Sequence, residues 1–138
     1  MCKCKASITF AGMEKKIIRT DKAPAPIGPY NQAVHFGNLL FISGQIALDP
    51  KSGNLVQGDI KDETKLVMNN LHAILTAAGM DFNNVIKSSI FLMDMGQFEQ
   101  VNEVYGSYFN DMAPARETVQ VAGLPKGVNV EISMIAGK

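Results

Sequence analysis

Arg116 and Glu131 are the two side chains in this sequence whose types and spacing best suit chemistry on a small acid. They lie in the segment PARETVQVAGLPKGVNVEI, residues 114–132, on either side of a turn at residues 123–127. A guanidinium group binds a carboxylate through two hydrogen bonds, a geometry that the ammonium group of lysine does not match. A carboxylate close by can position or deprotonate a water molecule. The pair therefore predicts a site for a small carboxylic acid with an electrophilic carbon.

Each of the two residues also has a simpler structural interpretation. Most arginines are surface residues, so Arg116 taken alone is a solvated or salt-bridged side chain. Glu131 lies in the apolar stretch VNVEISMI and needs a partner there. If residues 115–121 and 129–136 pair as antiparallel strands, both side chains lie on one face of the sheet. They would then form either a substrate site or a structural ion pair.

Four further residues are candidates for a binding site. Tyr30 ends the proline-rich segment APAPIGPY and presents either a hydroxyl group to a pocket or a ring that covers the sheet edge. Ser43 and Gly44 lie at the end of a predicted strand, where a glycine permits close approach of a ligand or marks a bulge. Asn102 lies on a predicted helix and is otherwise a polar surface residue.

The sequence lacks the motifs of several enzyme classes, including GxGxxG, GxxxxGK[ST], HExxH and GxSxG. Neither His35 nor His72 has neighbours that suggest a serine triad. Cys2 and Cys4 are too close to bridge each other, and a closed metal site needs about four ligands. We therefore expect an unpaired cysteine pair in a mobile tail, no metal and no organic cofactor.

Composition predicts one globular domain without a broad electrostatic partner. The chain has 138 residues, of which 46% are hydrophobic and 19% charged, and its formal net charge is +0. This balance argues against nucleic acid or an anionic membrane as a partner. Residues 1–12 lack the apolar region of a secretory signal and are expected to be a disordered or additional N-terminal extension. We expect a cytoplasmic protein, with organelle targeting by the extension left open.

Residue patterns predict an α+β sandwich with two helices on one face of a mixed sheet. A helix is expected from Asp59, as the N-cap, to Gly79, and a second over residues 98–109. Gly37-Asn38 predicts a hairpin turn. Predicted strands cover residues 16–19, 32–36, 39–45, 85–92, 119–121 and 128–135.

Strand residues of both parities are apolar, for example in the runs LLFI and VEISMI. Strands that are apolar on both faces are usually buried on both. Two helices cover only one face of the predicted sheet. The other face is therefore expected to pack against another subunit.

Five stretches spread over residues 13–138 resemble one known family, and their order along the chain is specific: APAPIGPYNQAV, FISGQI, LTAAGMDFNNVIKSSIFLMDM, FEQVNEVYGSYF and PARETVQVAGLPKGVNVEISMIA. On these residues the chain is similar to the RidA family (reactive intermediate deaminase A), also called YjgF or L-PSP. The resemblance implies a single domain over residues 13–138 with a chorismate-mutase-like α+β fold and a six-stranded mixed sheet. It also implies a homotrimer with sites between subunits.

The activity implied by the resemblance is hydrolysis of reactive enamines and imines, such as 2-aminoacrylate and 2-iminobutanoate, to 2-oxo acids and ammonia. The carboxylate-binding arginine of the family falls on Arg116, and its water-activating glutamate on Glu131. The other implied substrate-binding positions are Tyr30, Ser43, Gly44, Asn102 and Thr118. Some members have cysteine where this chain has Thr118, so the polarity of the pocket differs here.

Two alternative functions remain open at this point. One is a module that binds small carboxylates without turning them over. The other is the ribonuclease activity attributed to some relatives, which the zero net charge and the absence of a histidine pair disfavour.

Overall fold

Six strands and two helices make up the computed structural model, which describes residues 13–138. The sheet has the order β1-β2-β3-β6-β4-β5, and only the β4–β5 pair is parallel. Both helices pack on one face of this mixed sheet, as predicted. In chain order the elements are β1 (Lys16–Ile18), β2 (Ala33–Phe36), β3 (Leu39–Gln45), α1 (Ile60–Ala77), β4 (Val85–Leu92), α2 (Phe98–Gly106), β5 (Ala115–Gln120) and β6 (Val130–Gly137).

Helix α1 begins and ends where its capping residues predict. The Asp59 carboxylate accepts a hydrogen bond of 2.8 Å from the Lys61 amide, which leaves one fewer unpaired donor in the first turn. Gly79 follows the helix with φ of 71°, a left-handed conformation that favours glycine. One stripe of α1 is fully buried against the sheet and includes Val67, Met68, Leu71, Ile74 and Leu75.

The β2–β3 hairpin turns at Gly37-Asn38, with φ of 60° at Gly37, as the dipeptide predicts. Further along β3, the register with β6 shifts between Ile42 and Gln45. This irregularity is a bulge that contains Ser43 and Gly44. A bulge bends the strand that contains it, and the neighbouring strand β6 carries Glu131 beside this point.

The predicted antiparallel pairing of β5 with β6 is wrong, because β4 lies between them. Ser88 of β4 is level with Arg116 on one side, whereas Phe91 of β4 is level with Glu131 on the other. Since strand side chains alternate, an offset of three residues puts the two candidate side chains on opposite faces. Arg116 faces the helices and Glu131 faces away from them. The prediction that they share a face is therefore also wrong.

Helix α2 ends at Gly106, three residues before the predicted end. Tyr108 and Phe109 follow the helix but still pack on the core, where both rings contact Phe82 edge-on. The apolar spacing over residues 98–109 therefore predicted the burial of Tyr108 and Phe109 correctly but wrongly placed these two residues in the helix. The expected N-terminal extension, residues 1–12 with Cys2 and Cys4, lies outside the described residues.

The sheet face opposite the helices is rich in apolar side chains that remain accessible. Phe41 is 43% exposed and Val119 is 41% exposed on this open face. A large exposed apolar patch marks an interaction surface more often than an ordinary monomer surface. Leu39, Phe36 and Ile17 continue the patch towards β1. Within residues 13–138 no helix is long and apolar enough to cross a membrane.

Glu63 is a fully buried carboxylate on α1 beside the start of β6. Its Oε1 accepts a hydrogen bond of 3.0 Å from Asn129 Nδ2, while its Oε2 has no partner among the described residues. Burial raises the pKa of Glu63, and the hydrogen bonds from Asn129 offset this only in part. The ionised form therefore costs free energy in the folded state.

We expect Glu63→Gln to stabilise the protein at about pH 8 and to leave its stability nearly unchanged at about pH 4.5. Because the folded-state pKa is raised, the wild type has no penalty below the unfolded-state pKa and loses stability as the pH rises through the folded-state pKa. The gain is about 1.4 kcal/mol for each unit of pKa difference. Urea unfolding of both proteins, at one fixed protein concentration and at each of the two pH values, measures this gain in the free energy of unfolding. The exposed neighbour Asp62→Asn serves as control, and a gain of equal size there would contradict the assignment.

Candidate active site

A cavity of about 330 Å³ opens on the sheet face that carries Glu131. The bulge of β3 forms its floor, and the loop before β2 and the turn before β6 form its walls. Four of the seven predicted site residues come together here. The lining residues are Ile27, Tyr30, Ser43, Gly44, Ile46, Pro125 and Glu131.

Gly44 lets the Glu131 carboxylate lie directly against the β3 backbone. A Cβ atom at position 44 would be 2.8 Å from Glu131 Cδ, closer than real Cβ atoms approach other groups. Gly44 makes room for this placement of the carboxylate by lacking a Cβ atom and not by a left-handed conformation, since its φ lies outside that region. Of the two sequence interpretations of Gly44, the bulge is confirmed, and the group that approaches it here is the Glu131 side chain.

The proline-rich loop that carries Tyr30 is fastened to the sheet by buried polar groups. Gln32 accepts a hydrogen bond from the Thr20 amide at 2.8 Å and donates one to the Pro24 carbonyl at 2.9 Å. Ser43 Oγ donates to the Asn31 carbonyl at 2.6 Å. Because this bond uses its one proton, the Ser43 hydroxyl can only accept from a ligand. Tyr30 itself remains 45% exposed beside the cavity.

Burial raises the pKa of Glu131. No hydrogen bond or cation from residues 13–138 offsets this effect. A carboxylate in such a setting holds its proton at a higher pH than an exposed glutamate and is a stronger base once ionised. This is the electrostatic character that general base catalysis near neutral pH requires.

Arg116 forms a second cluster on the opposite face of the sheet. Its Nη1 donates a hydrogen bond to Asn102 Oδ1 on α2. The guanidinium carbon lies 5.1 Å from the ring centre of Tyr105 and 5.7 Å from that of Phe98. Among residues 13–138 no carboxylate pairs with Arg116. Its remaining N–H groups are therefore available to an anionic ligand.

Thr118 lies on the same face of β5 as Arg116, two residues further along. Its Oγ1 is buried and has no hydrogen-bond partner among the described residues. A buried hydroxyl group without a partner costs free energy, so it calls for a ligand or a water. Thr118 also borders a shallow surface depression that includes Met95, Phe98 and Glu99.

The seven predicted residues thus form two groups rather than one site. One group lines the cavity on the open face of the sheet and consists of Tyr30, Ser43, Gly44 and Glu131. The other group lies on the face that the helices cover and consists of Asn102, Arg116 and Thr118. The structural ion pair between Arg116 and Glu131 that the sequence left open is contradicted, since their strands and faces differ.

Phe98 and Tyr105 have the spacing of core residues in the helix predicted over residues 98–109, and their contact with Arg116 was not predicted from the sequence. The signal was present, because Phe98, Asn102 and Tyr105 are spaced by four and three residues and share one face of α2.

Fold and site together define an α+β domain that offers an arginine on one face of its sheet and a partly buried glutamate on the other. Residues 20–138 match the family model described as Endoribonuclease L-PSP. The chain belongs to this family, also known as RidA or YjgF, and the resemblance inferred from the motifs is confirmed.

Relatives with known names and structures cover nearly the whole chain. The 2-iminobutanoate/2-iminopropanoate deaminase of Mus musculus is 53% identical over 122 residues, which are 88% of this chain and 90% of the mouse protein. The crystal structure of RidA from Psychrobacter sp. PAMC 21119 superposes with a TM-score of 0.86 at 44% identity, covering 89% of this chain and 99% of that one. E. coli TdcF with bound serine gives 0.84 at 43% identity, covering 89% and 98%. These matches confirm the α+β fold.

Proposed function

We propose that this protein is a hydrolytic deaminase of reactive enamine and imine acids, converting 2-aminoacrylate and 2-iminobutanoate to 2-oxo acids and ammonia. The observation that carries the proposal is the guanidinium group of Arg116, which Asn102 and Tyr105 orient and which no carboxylate among residues 13–138 pairs with, so that it suits a substrate carboxylate. The names of the relatives support the same reaction, since the mouse protein is a 2-iminobutanoate/2-iminopropanoate deaminase.

The active site is completed between subunits of a homotrimer. Arg116 and Glu131 lie on opposite faces of one sheet, so a single chain does not bring them to one substrate. The exposed apolar face that surrounds Phe41 and Val119 supplies the surface for assembly. A cyclic arrangement repeats one contact between unlike surfaces, and so sets the arginine side of each chain against the glutamate side of the next.

In the reaction, Arg116 binds the substrate carboxylate and fixes the orientation of the carbon that is attacked. An enamine substrate first gains a proton at carbon and loses one from nitrogen to become the imine. Glu131 of the adjoining subunit holds a water molecule against the imine carbon and accepts its proton as the C–O bond forms, and this proton passes to the nitrogen to give the carbinolamine. The hydroxyl proton of the carbinolamine then moves to the same nitrogen as the C–N bond breaks, which releases ammonia and leaves the 2-oxo acid. The substrate is already electrophilic, so positioning and proton transfer suffice for catalysis.

The test is direct. An amino-acid oxidase or dehydratase generates 2-iminobutanoate, and its decay is followed with and without the protein. Acceleration that scales with protein concentration supports the proposal. A protein that binds 2-oxobutanoate but leaves the decay unchanged would be a small-carboxylate binding module instead. Cleavage of RNA without any effect on the imine would favour the ribonuclease alternative.

Mixing two inactive variants tests whether the site spans two chains. Arg116→Ala and Glu131→Gln trimers are dissociated together and reassembled. In randomly mixed trimers about a quarter of the interfaces combine an intact arginine with an intact glutamate. We therefore expect recovery of about a quarter of the wild-type rate, whereas either variant reassembled alone stays inactive. No recovery in mixed trimers of the correct mass would contradict an inter-subunit site.

A further inference from the structure

Tyr105 lies against Arg116 in a geometry that goes beyond filling the core. Its side chain is only 4% exposed, and its ring centre is 5.1 Å from the guanidinium carbon. A cation held over an aromatic face is attracted by the ring, and the attraction is stronger where water is excluded. Phe98 adds a second ring on the same helix face. Asn102 lies between them in sequence and accepts the guanidinium hydrogen bond.

The side chain of Tyr105 is itself held in place by a hydrogen bond and by a second aromatic ring. Its hydroxyl group donates a hydrogen bond of 2.9 Å to Ser88 Oγ, and Ser88 is fully buried. Ser88 is the residue of β4 directly level with Arg116 in the sheet. Phe109 also packs against the Tyr105 ring, with ring centres 4.8 Å apart. The tyrosine is thus tied to the strand beside the one that carries the arginine.

This arrangement addresses a specific problem of an arginine site. A free arginine side chain has many rotamers, and fixing them at the moment of binding weakens affinity. Contacts from Tyr105, Phe98 and Asn102 restrict the guanidinium before the substrate arrives. The N–H groups that are not bound to Asn102 are left for a carboxylate.

We propose that Tyr105, anchored by Ser88, is a positioning residue for Arg116, with Phe98 as the second ring of the support. The inference rests on the proposed function, because it assigns the arginine to a carboxylate ligand. It gives the hydroxyl group of Tyr105 and the ring separate roles. The ring holds the cation, and the hydroxyl group holds the ring.

Three variants separate positioning from core packing. Tyr105→Leu removes the ring, Tyr105→Phe keeps the ring and removes the bond to Ser88, and Phe82→Leu removes a core ring that packs on Tyr108 and Phe109 rather than on Tyr105. The first readout is the NMR shift of the Arg116 δ-methylene protons, which the ring current of Tyr105 moves upfield. The second is the Kd for 2-oxobutanoate, and the third is the split between KM and kcat for imine hydrolysis.

We expect Tyr105→Leu to move the Arg116 resonances back towards ordinary values and to weaken 2-oxobutanoate binding about tenfold. The loss should appear in KM, with kcat little changed. Tyr105→Phe should stay within about threefold of wild type, and Phe82→Leu should lower unfolding stability without changing Kd. Wild-type Kd and unchanged Arg116 shifts in Tyr105→Leu would overturn the proposal, as would an equal loss of binding in Phe82→Leu. If the wild type hydrolyses no imine, the proposed function fails, while the Arg116 shifts still decide the positioning role.

Discussion

Arg116→Ala and Arg116→Lys are both expected to lower kcat/KM for 2-iminobutanoate hydrolysis by about 100-fold or more, since charge-assisted hydrogen bonds contribute about 1.5–3 kcal/mol each. Lysine keeps the charge but lacks the planar fork, and it cannot reproduce the hydrogen bond to Asn102 while also binding a carboxylate at two points. A clamp on the carboxylate acts in both ground and transition states, so much of the effect should appear in KM.

The matched control is Arg19, the other arginine of the sequence. It is exposed and lies directly after β1, before the proline-rich loop. Arg19→Ala should retain the wild-type rate. Circular dichroism and sedimentation establish that each variant is folded and assembled as the wild type is. An Arg116→Lys protein with full activity would show that a positive charge is enough and that the bidentate clamp is wrong.

Glu131→Gln is expected to slow turnover by about 10²–10⁴-fold while 2-oxobutanoate still binds, because the amide fills the same space but accepts no proton. The exposed Glu103, on the outer side of α2, provides a control in the form of Glu103→Gln. Loss of ligand binding together with loss of folded protein in Glu131→Gln would instead mark Glu131 as a structural residue.

The pH profile gives an independent check on Glu131. Since burial raises its pKa above the ordinary value of 4.5, the ionised base is lost at a higher pH than for an exposed glutamate. The wild-type rate should therefore fall as the pH is lowered through this raised pKa. The residual rate of Glu131→Gln should lack that limb of the profile. An identical acid limb in both proteins would assign the titration to another group.

Local chemistry in the sequence predicted the individual elements well. Asp59 and Gly79 bracket α1 because a cap and a left-handed turn act on the residues next to them. Gly37-Asn38 likewise determines its own hairpin. The order of the strands in the sheet could not be predicted in this way, since no residue pattern within residues 115–136 indicates that β4 lies between β5 and β6. That insertion depends on packing partners elsewhere in the chain, and it moved Arg116 and Glu131 to opposite faces.

The same limit explains what was missed at the site. Residue types suggested six of the seven candidate residues and the resemblance to the family added Thr118, but their division into two groups follows from the three-dimensional register alone. Phe98 and Tyr105 have the spacing of residues on the buried face of a helix. This spacing is the same whether or not a cation packs against their rings, so the sequence alone does not show the contact with Arg116. The space that Gly44 leaves for Glu131 joins residues that are far apart in the sequence and close only across the β3–β6 pair.

The single hydrogen-bond partner of Glu63 has a practical consequence for handling the protein. Asn129, which donates to Glu63, immediately precedes the strand that carries Glu131. Glu63 costs least when it holds a proton, whereas the role proposed for Glu131 requires its ionised form. Glu63 therefore lowers the stability of the fold as the pH rises towards the range in which an ionised Glu131 would act, and a storage buffer and an assay buffer should be chosen separately.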